Sequence, residues 1–159
     1  MFEALVILGL IAVAGIVAAV YDAIKNQDDD SVAAFGEQPG DKIQSLFALD
    51  DIQGEWKMVS VGKNGNFAPS MVMQNSDLRM VIDGERYSVN GSAGKIVLRS
   101  EGTSTIMDQL DDNGDTHLCI VRLRNDELEI CQGEVGDSRP VDFNPERSDD
   151  ASLTRFARI

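Results

Sequence analysis

From residue 54 to the end, short apolar runs alternate with residue pairs built for tight turns, and this punctuation limits the fold more than any other feature. Asp83-Gly84, Asn90-Gly91, Asn113-Gly114 and Asn125-Asp126 separate runs rich in Val, Ile, Leu and aromatic residues. Gly, Asn and Asp tolerate the positive φ that two-residue hairpins demand, so consecutive runs are expected to pair antiparallel. The spacing predicts about eight strands, near residues 55–61, 78–82, 86–89, 95–100, 105–110, 116–123, 128–132 and 153–158. Acidic Glu127 and Glu129 alternate with Leu128 and Ile130, which puts one face of that strand in a core and the other in water. Eight such strands leave costly open edges unless the sheet closes. The expected architecture is an all-β, antiparallel up-and-down barrel.

The start of the chain follows different rules. Residues 4–20 read ALVILGLIAVAGIVAAV, seventeen positions without a charge or a proline. At 1.5 Å per residue the run covers about 26 Å, and its neighbours extend it across a hydrocarbon core of roughly 30 Å. Residues 1–25 are therefore expected to form one transmembrane helix, a membrane partner for the chain. The alternative, a cleaved secretory signal, lacks a basic n-region and a small-x-small cleavage site. Residues 26–42 are acidic and broken by Gly36, Pro39 and Gly40, which predicts a flexible linker. The domain is expected over 43–159, opening with a short helix that carries Ile43, Leu46, Phe47, Leu49 and Ile52. The barrel is expected outside the cytoplasm, on a weak charge asymmetry around the anchor.

Two stretches at opposite ends of the domain are similar to a known pattern. Ile52-Gln53-Gly54-Glu55-Trp56-Lys57-Met58-Val59-Ser60-Val61, with Asn64-Gly65 after it, resembles the opening of a lipocalin-like (calycin-type) domain family of unknown function expanded in planctomycete-type bacteria. Leu128-Glu129-Ile130-Cys131, then Gly136, Arg139-Pro140, Phe143 and a closing strand, follow the same family's order. The likeness spans roughly residues 50–159. It implies a barrel whose Gly54-x-Trp56 tryptophan closes the base, with a basic residue of the last strand on the indole. Arg158 matches that position best, and Arg155, on the opposite face, is the alternative. The family brings no established catalytic residues and no cofactor.

Searching the domain for chemistry returns little. His117 and Cys119 lie two apart on one strand face, the spacing of a base and a nucleophile, yet no third group orients them. A packed imidazole and thiol is the expected reading. If Leu123 faces Leu128 across the Asn125-Asp126 turn, Cys119 opposes Gln132 and Cys131 points to the other sheet face, which disfavours a disulfide. Asp111-Asp112-Asn113-Gly114-Asp115 carries calcium-like ligands, but Thr116 and Arg122 stand where a loop glycine and a bidentate Glu belong, so a hairpin turn is expected and no metal. Gly91-Ser92-Ala93-Gly94 lacks the Lys and the helix of a phosphate cradle. No enzyme activity is expected.

Charge narrows the partners. Twenty-seven acidic against fourteen basic residues give a net charge of -13, which opposes nucleic acid. Eight-stranded barrels are just wide enough to hold one small molecule. Met58, Met80, Ile82, Ile96, Leu98, Val121, Leu128 and Ile130 form the expected lining, apolar enough for a small apolar or amphipathic ligand. The same residues can instead fill the interior, leaving a structural domain that meets protein partners through its loops. Free volume of about 300 Å³ or more favours the ligand, and complete filling the interaction domain.

Overall fold

The computed structural model describes residues 37–144 and 151–159. The expected anchor helix and most of the linker lie outside the described residues, as does part of the connection into the last strand. Among the described residues no helix is long and apolar enough to cross a membrane. The strands are β1 (Ile43–Gln44), β2 (Gly54–Lys63), β3 (Asn66–Phe67), β4 (Arg79–Asp83), β5 (Arg86–Val89), β6 (Ser92–Glu101), β7 (Ser104–Asp111), β8 (Thr116–Arg124), β9 (Glu127–Gln132) and β10 (Ser152–Arg158). A six-residue helix, α1 (Ser70–Asn75), joins β3 to β4, and a 3-10 turn covers Leu49–Ile52.

Eight of the strands close into a barrel. Following hydrogen bonds around it, the order is β2, β4, β5, β6, β7, β8, β9, β10 and back to β2, every pair antiparallel. Asn125 and Asp126 both take positive φ, 52° and 65°, in the mirror-image turn whose twist matches a hairpin. That turn pairs Leu123 with Leu128 and Cys119 with Gln132, the register expected from the sequence. Both cysteines are free: Cys119 packs in the main core, and Cys131 lies with Phe67 and Leu153 in a second cluster.

Three expectations change. The domain opens not with a helix over 43–52 but with β1, which pairs Ile43 and Gln44 with Arg124 and Leu123, and then the 3-10 turn. The last linker residues are fastened to the wall, since Arg124 reaches Asp41 at 2.6 Å and Arg122 reaches Glu37 at 2.7 Å. The backbone N–H of Gln38 and the Asn125 amide hold the Asp41 carboxyl down at about 2, with Arg124 adding to them. Finally, β2 carries a bulge: Arg155 pairs with Ser60 but Phe156 with Met58, leaving Val59 extra. The extra residue shifts the alternation, so the buried positions run Trp56, Met58, then Val61, and Ser60 stays off the core.

Trp56 closes the foot of the barrel, the end where β2 begins. Its side chain has no exposed area, and its Nε1–H donates to the Ile52 carbonyl at 2.9 Å. The Arg158 guanidinium lies 4.2 Å from the indole centroid and donates to the carbonyls of Gln53 and Asp51. Gly54 turns the chain beneath that cation at φ 110°, where a Cβ would be strained. Arg155 faces outward instead, 3.3 Å from both Glu127 and Glu129. Replacing Trp56→Ala is expected to remove about 3–5 kcal/mol of stability in urea unfolding. A loss under about 1 kcal/mol would show that the indole does not hold the foot shut.

Candidate binding site

The lower half of the barrel is packed. Met58, Met80, Ile82, Ile96, Val121, Leu128 and Ile130 are all buried in one apolar cluster with Trp56 and Phe156, and Leu98 is half-buried against it. Seven of the eight expected lining residues thus fill the space that a wholly apolar ligand would need. This is where the sequence reading of a continuous apolar lining stops.

Among these apolar residues some buried positions are polar. Gln109 on β7 faces His117 on β8, and Ile96 on β6. Gln132 on β9 faces Cys119 on one side and Ser152 on the other, with Thr154 the next inward position along β10. Tyr87 on β5 pairs with Gly94, where a Cβ would stand 2.1 Å from the Leu110 carbonyl oxygen and 2.8 Å from the Tyr87 ring, so the close strand approach and the ring both call for glycine. All of these side chains are buried. Among them Tyr87 Oη, Gln109 Oε1, both ends of the Gln132 amide and Thr154 Oγ1 meet no hydrogen-bond partner in the protein. His117 Nδ1 lies 3.3 Å from the Gly133 carbonyl, and Cys119 Sγ donates to the His117 carbonyl at 3.7 Å. The Cys119 thiol is pushed up by burial, which opposes the thiolate a nucleophile needs.

The upper wall beside this layer is not all strand. β4 begins at Arg79, opposite Lys57, so the upper part of β2 has no β4 beside it. β3 and α1 fill the gap, with Met73 and Ala68 buried in the core while Met71 and Val72 stay exposed. Composition had hidden this helix, because its sequence, Ser-Met-Val-Met-Gln-Asn, has neither a helical face nor a cap that separates it from a loop.

Outside the barrel, charges do structural work. Glu129 has no exposed area and sits among Arg122, Arg124 and Arg155 at 2.5, 3.2 and 3.3 Å. Phe143 stacks on Arg122 at 4.2 Å. Arg139 donates to the carbonyls of Met107 and Cys119 and to Asp108, while Pro140 is buried beside it, so the Arg-Pro pair ties residues 133–144 to β7 and β8. Burial would raise the Asp108 carboxyl, but the bonds from Arg139 and Arg99 outweigh it and hold it below its usual range. Asp111 accepts from the N–H groups of Asn113 and Asp115, closing its own hairpin turn.

At the foot, a groove of about 550 Å³ separates Leu46, Phe47, Ala48 and Leu49 from the lower part of β6. A second groove, of about 530 Å³, runs on the outer wall between Glu37, Ser45, Arg122 and Phe143.

No family model and no curated protein matches the chain. Among solved structures, a crystal structure of a point mutant of the fluorescent protein UnaG is similar at 12% identity, covering 70% of this chain and 99% of that one, with a TM-score of 0.34. The barrel described above stands on its own strand pairing.

Burial, with the Asp111 charge adding to it, pushes the Tyr87 phenol up to about 12 from an ordinary 10.0. Since the unfolded phenol ionises first, this contribution to stability is present below pH 10 and lost as pH rises through about 12. In a Tyr21→Phe chain, the phenolate absorbance should therefore rise near pH 12. Ionisation near pH 10 would place the ring in water.

Proposed function

We propose that this chain is a membrane-tethered, lipocalin-like binding module that holds one small, uncharged, amphipathic molecule in the upper half of its barrel. One observation carries the reading: five polar atoms on four buried side chains of the barrel strands lack partners in the protein. Each such atom costs about 1–3 kcal/mol, so together they rival the stability of a whole domain. A guest that offers both donors and acceptors removes that cost. The Gln132 amide calls for both, and the carbonyl of Gln109 for a donor.

The guest's character follows from its surroundings. The four side chains themselves are uncharged and call for hydrogen bonds rather than for a counter-ion, which favours an uncharged guest. The apolar floor beneath takes an apolar end of small size, because the lower half is filled. Entry runs past α1, the stretch of upper wall that no continuous strand ladder secures. Tethering rests on the uncharged run over residues 4–20. The filled lower half favours the second reading, a guest-free domain that meets protein partners, in which water alone occupies the polar layer.

Native mass spectrometry of the full chain, purified in detergent from its source cells, separates the two. We expect an added mass of a small molecule that disappears in Gln132→Leu. The variant should keep or gain guest-free stability, because it removes two unpaired polar atoms. A chain that repeatedly carries no added mass, with only water between Tyr87, Gln109, Gln132 and Thr154 at high resolution, overturns the ligand reading.

A further inference from the structure

We propose that the lower part of β6 is a docking edge for an extended peptide segment of a partner protein, which adds as a strand beside Leu98 and Ser100. The site is separate from the interior layer, and neither depends on the other.

Unequal hairpins create the edge. β5 pairs only with residues 92–95 of β6, whereas β7 pairs with β6 all the way to Glu101. The last tie on the β5 side is the Ile96 N–H, which donates to the Glu85 carbonyl at 2.7 Å. In an antiparallel ladder, alternate residues turn both backbone groups to the same side. Leu98 and Ser100, two and four positions beyond Ile96, therefore aim N–H and C=O away from β7. Among the described residues no group meets them there.

Among the described residues nothing blunts this edge. Proteins defend free strands with proline, bulges, lysines or a covering loop. From Ile96 to Glu101 the register with β7 is unbroken, and the segment has no proline and no lysine. Arg99 is held by Asp108. The nearest loop, 46–49, stands off across the 550 Å³ groove rather than covering the edge.

The exposed chemistry fits a polypeptide. Two sets of backbone donors and acceptors in strand geometry are matched by another backbone in strand geometry, the basis of recognition by strand addition. Specificity comes from the two faces. Inward residues of the incoming strand meet Leu98 and Phe47, and outward ones meet Val97, 41% exposed. Such a partner segment alternates apolar with polar residues. The chain already uses this device nearby, since β1 adds two residues to β8 beyond the end of β7.

A capped hexapeptide alternating valine and threonine serves as the probe, added to the full chain and followed by amide exchange. We expect exchange at Leu98 and Ser100 to slow by about tenfold or more when the probe binds. Ser100→Pro removes an N–H that the barrel itself leaves unpaired, so its melting temperature should stay close to the parent's while probe affinity falls at least about tenfold. Methylating the probe's backbone nitrogens tests the same bond without touching the protein, and should abolish binding. Equal binding of the methylated probe, equal binding by a folded Ser100→Pro chain, or slowed exchange only inside the barrel would each overturn the proposal. Self-association of the chain through this edge, detected by sedimentation and lost in Ser100→Pro, would replace the partner with a second copy and overturn it as well.

Discussion

The last strand holds the barrel shut, and every other feature depends on that seam. β10 pairs with β2 on one side and β9 on the other, so removing it leaves two open edges and an interior exposed to water. The seam is stapled from both faces. Inside, Phe156 and Trp56 pack together at the foot, with Arg158 bridging the indole to the carbonyls of Asp51 and Gln53. Outside, Arg155 shares the buried Glu129 carboxylate with Arg122 and Arg124 on β8. Removing Glu129 would take the one buried anion that all three arginines share, leaving Arg122 with Glu37, Arg124 with Asp41 and Arg155 with Glu127. The closure is thus both apolar and ionic.

How much of this was legible in the sequence depends on whether the signal was local. Turn chemistry was local: Asp83-Gly84, Asn90-Gly91 and Asn125-Asp126 fixed strand order and, through the last pair, the register that keeps Cys119 and Cys131 apart. The tryptophan and its arginine came through family likeness, and the structure sets Arg158 on the ring. The bulge at Val59 had no local sign, because it depends on how β10 meets β2. Nor could Arg122, Arg124 and Arg155 be linked to Glu129 before three strands were laid side by side. The polar interior was hidden for the same reason: Tyr87, Gln109, Gln132 and Thr154 are far apart in sequence and share one interior only when the sheet curls.

These polar side chains put unpaired atoms inside an otherwise apolar interior. The apolar cluster is packed tightly enough that adding a methylene to its Met and Ile residues costs stability, while Tyr87, Gln109, Gln132 and Thr154 carry polar atoms that the protein does not satisfy. A purely structural core is cheaper to build from apolar residues throughout, since well-packed apolar replacements of polar groups are often neutral or stabilising. Keeping four buried polar side chains on the barrel strands therefore calls for a gain outside stability, which the proposed guest would supply.

One dimension, the length of the β4 and β5 hairpin, explains both irregular corners of the wall. β4 has five residues and β5 four, against ten each in their neighbours β2 and β6. At about 3.3 Å per residue the hairpin spans half the height that its flanking strands do. Its two neighbours therefore overhang it at diagonally opposite corners, β2 toward the rim and β6 toward the foot. The rim corner is closed by β3 and α1, which cover the overhang of β2 and bury Met73. Among the described residues the foot corner receives no such cover, and Leu98 and Ser100 face a groove. A chain that fills one overhang with an inserted segment shows that its fold accommodates a cover of that kind. Among the described residues the other overhang has no cover, proline, lysine or bulge, so its backbone groups keep the geometry that an added strand would match.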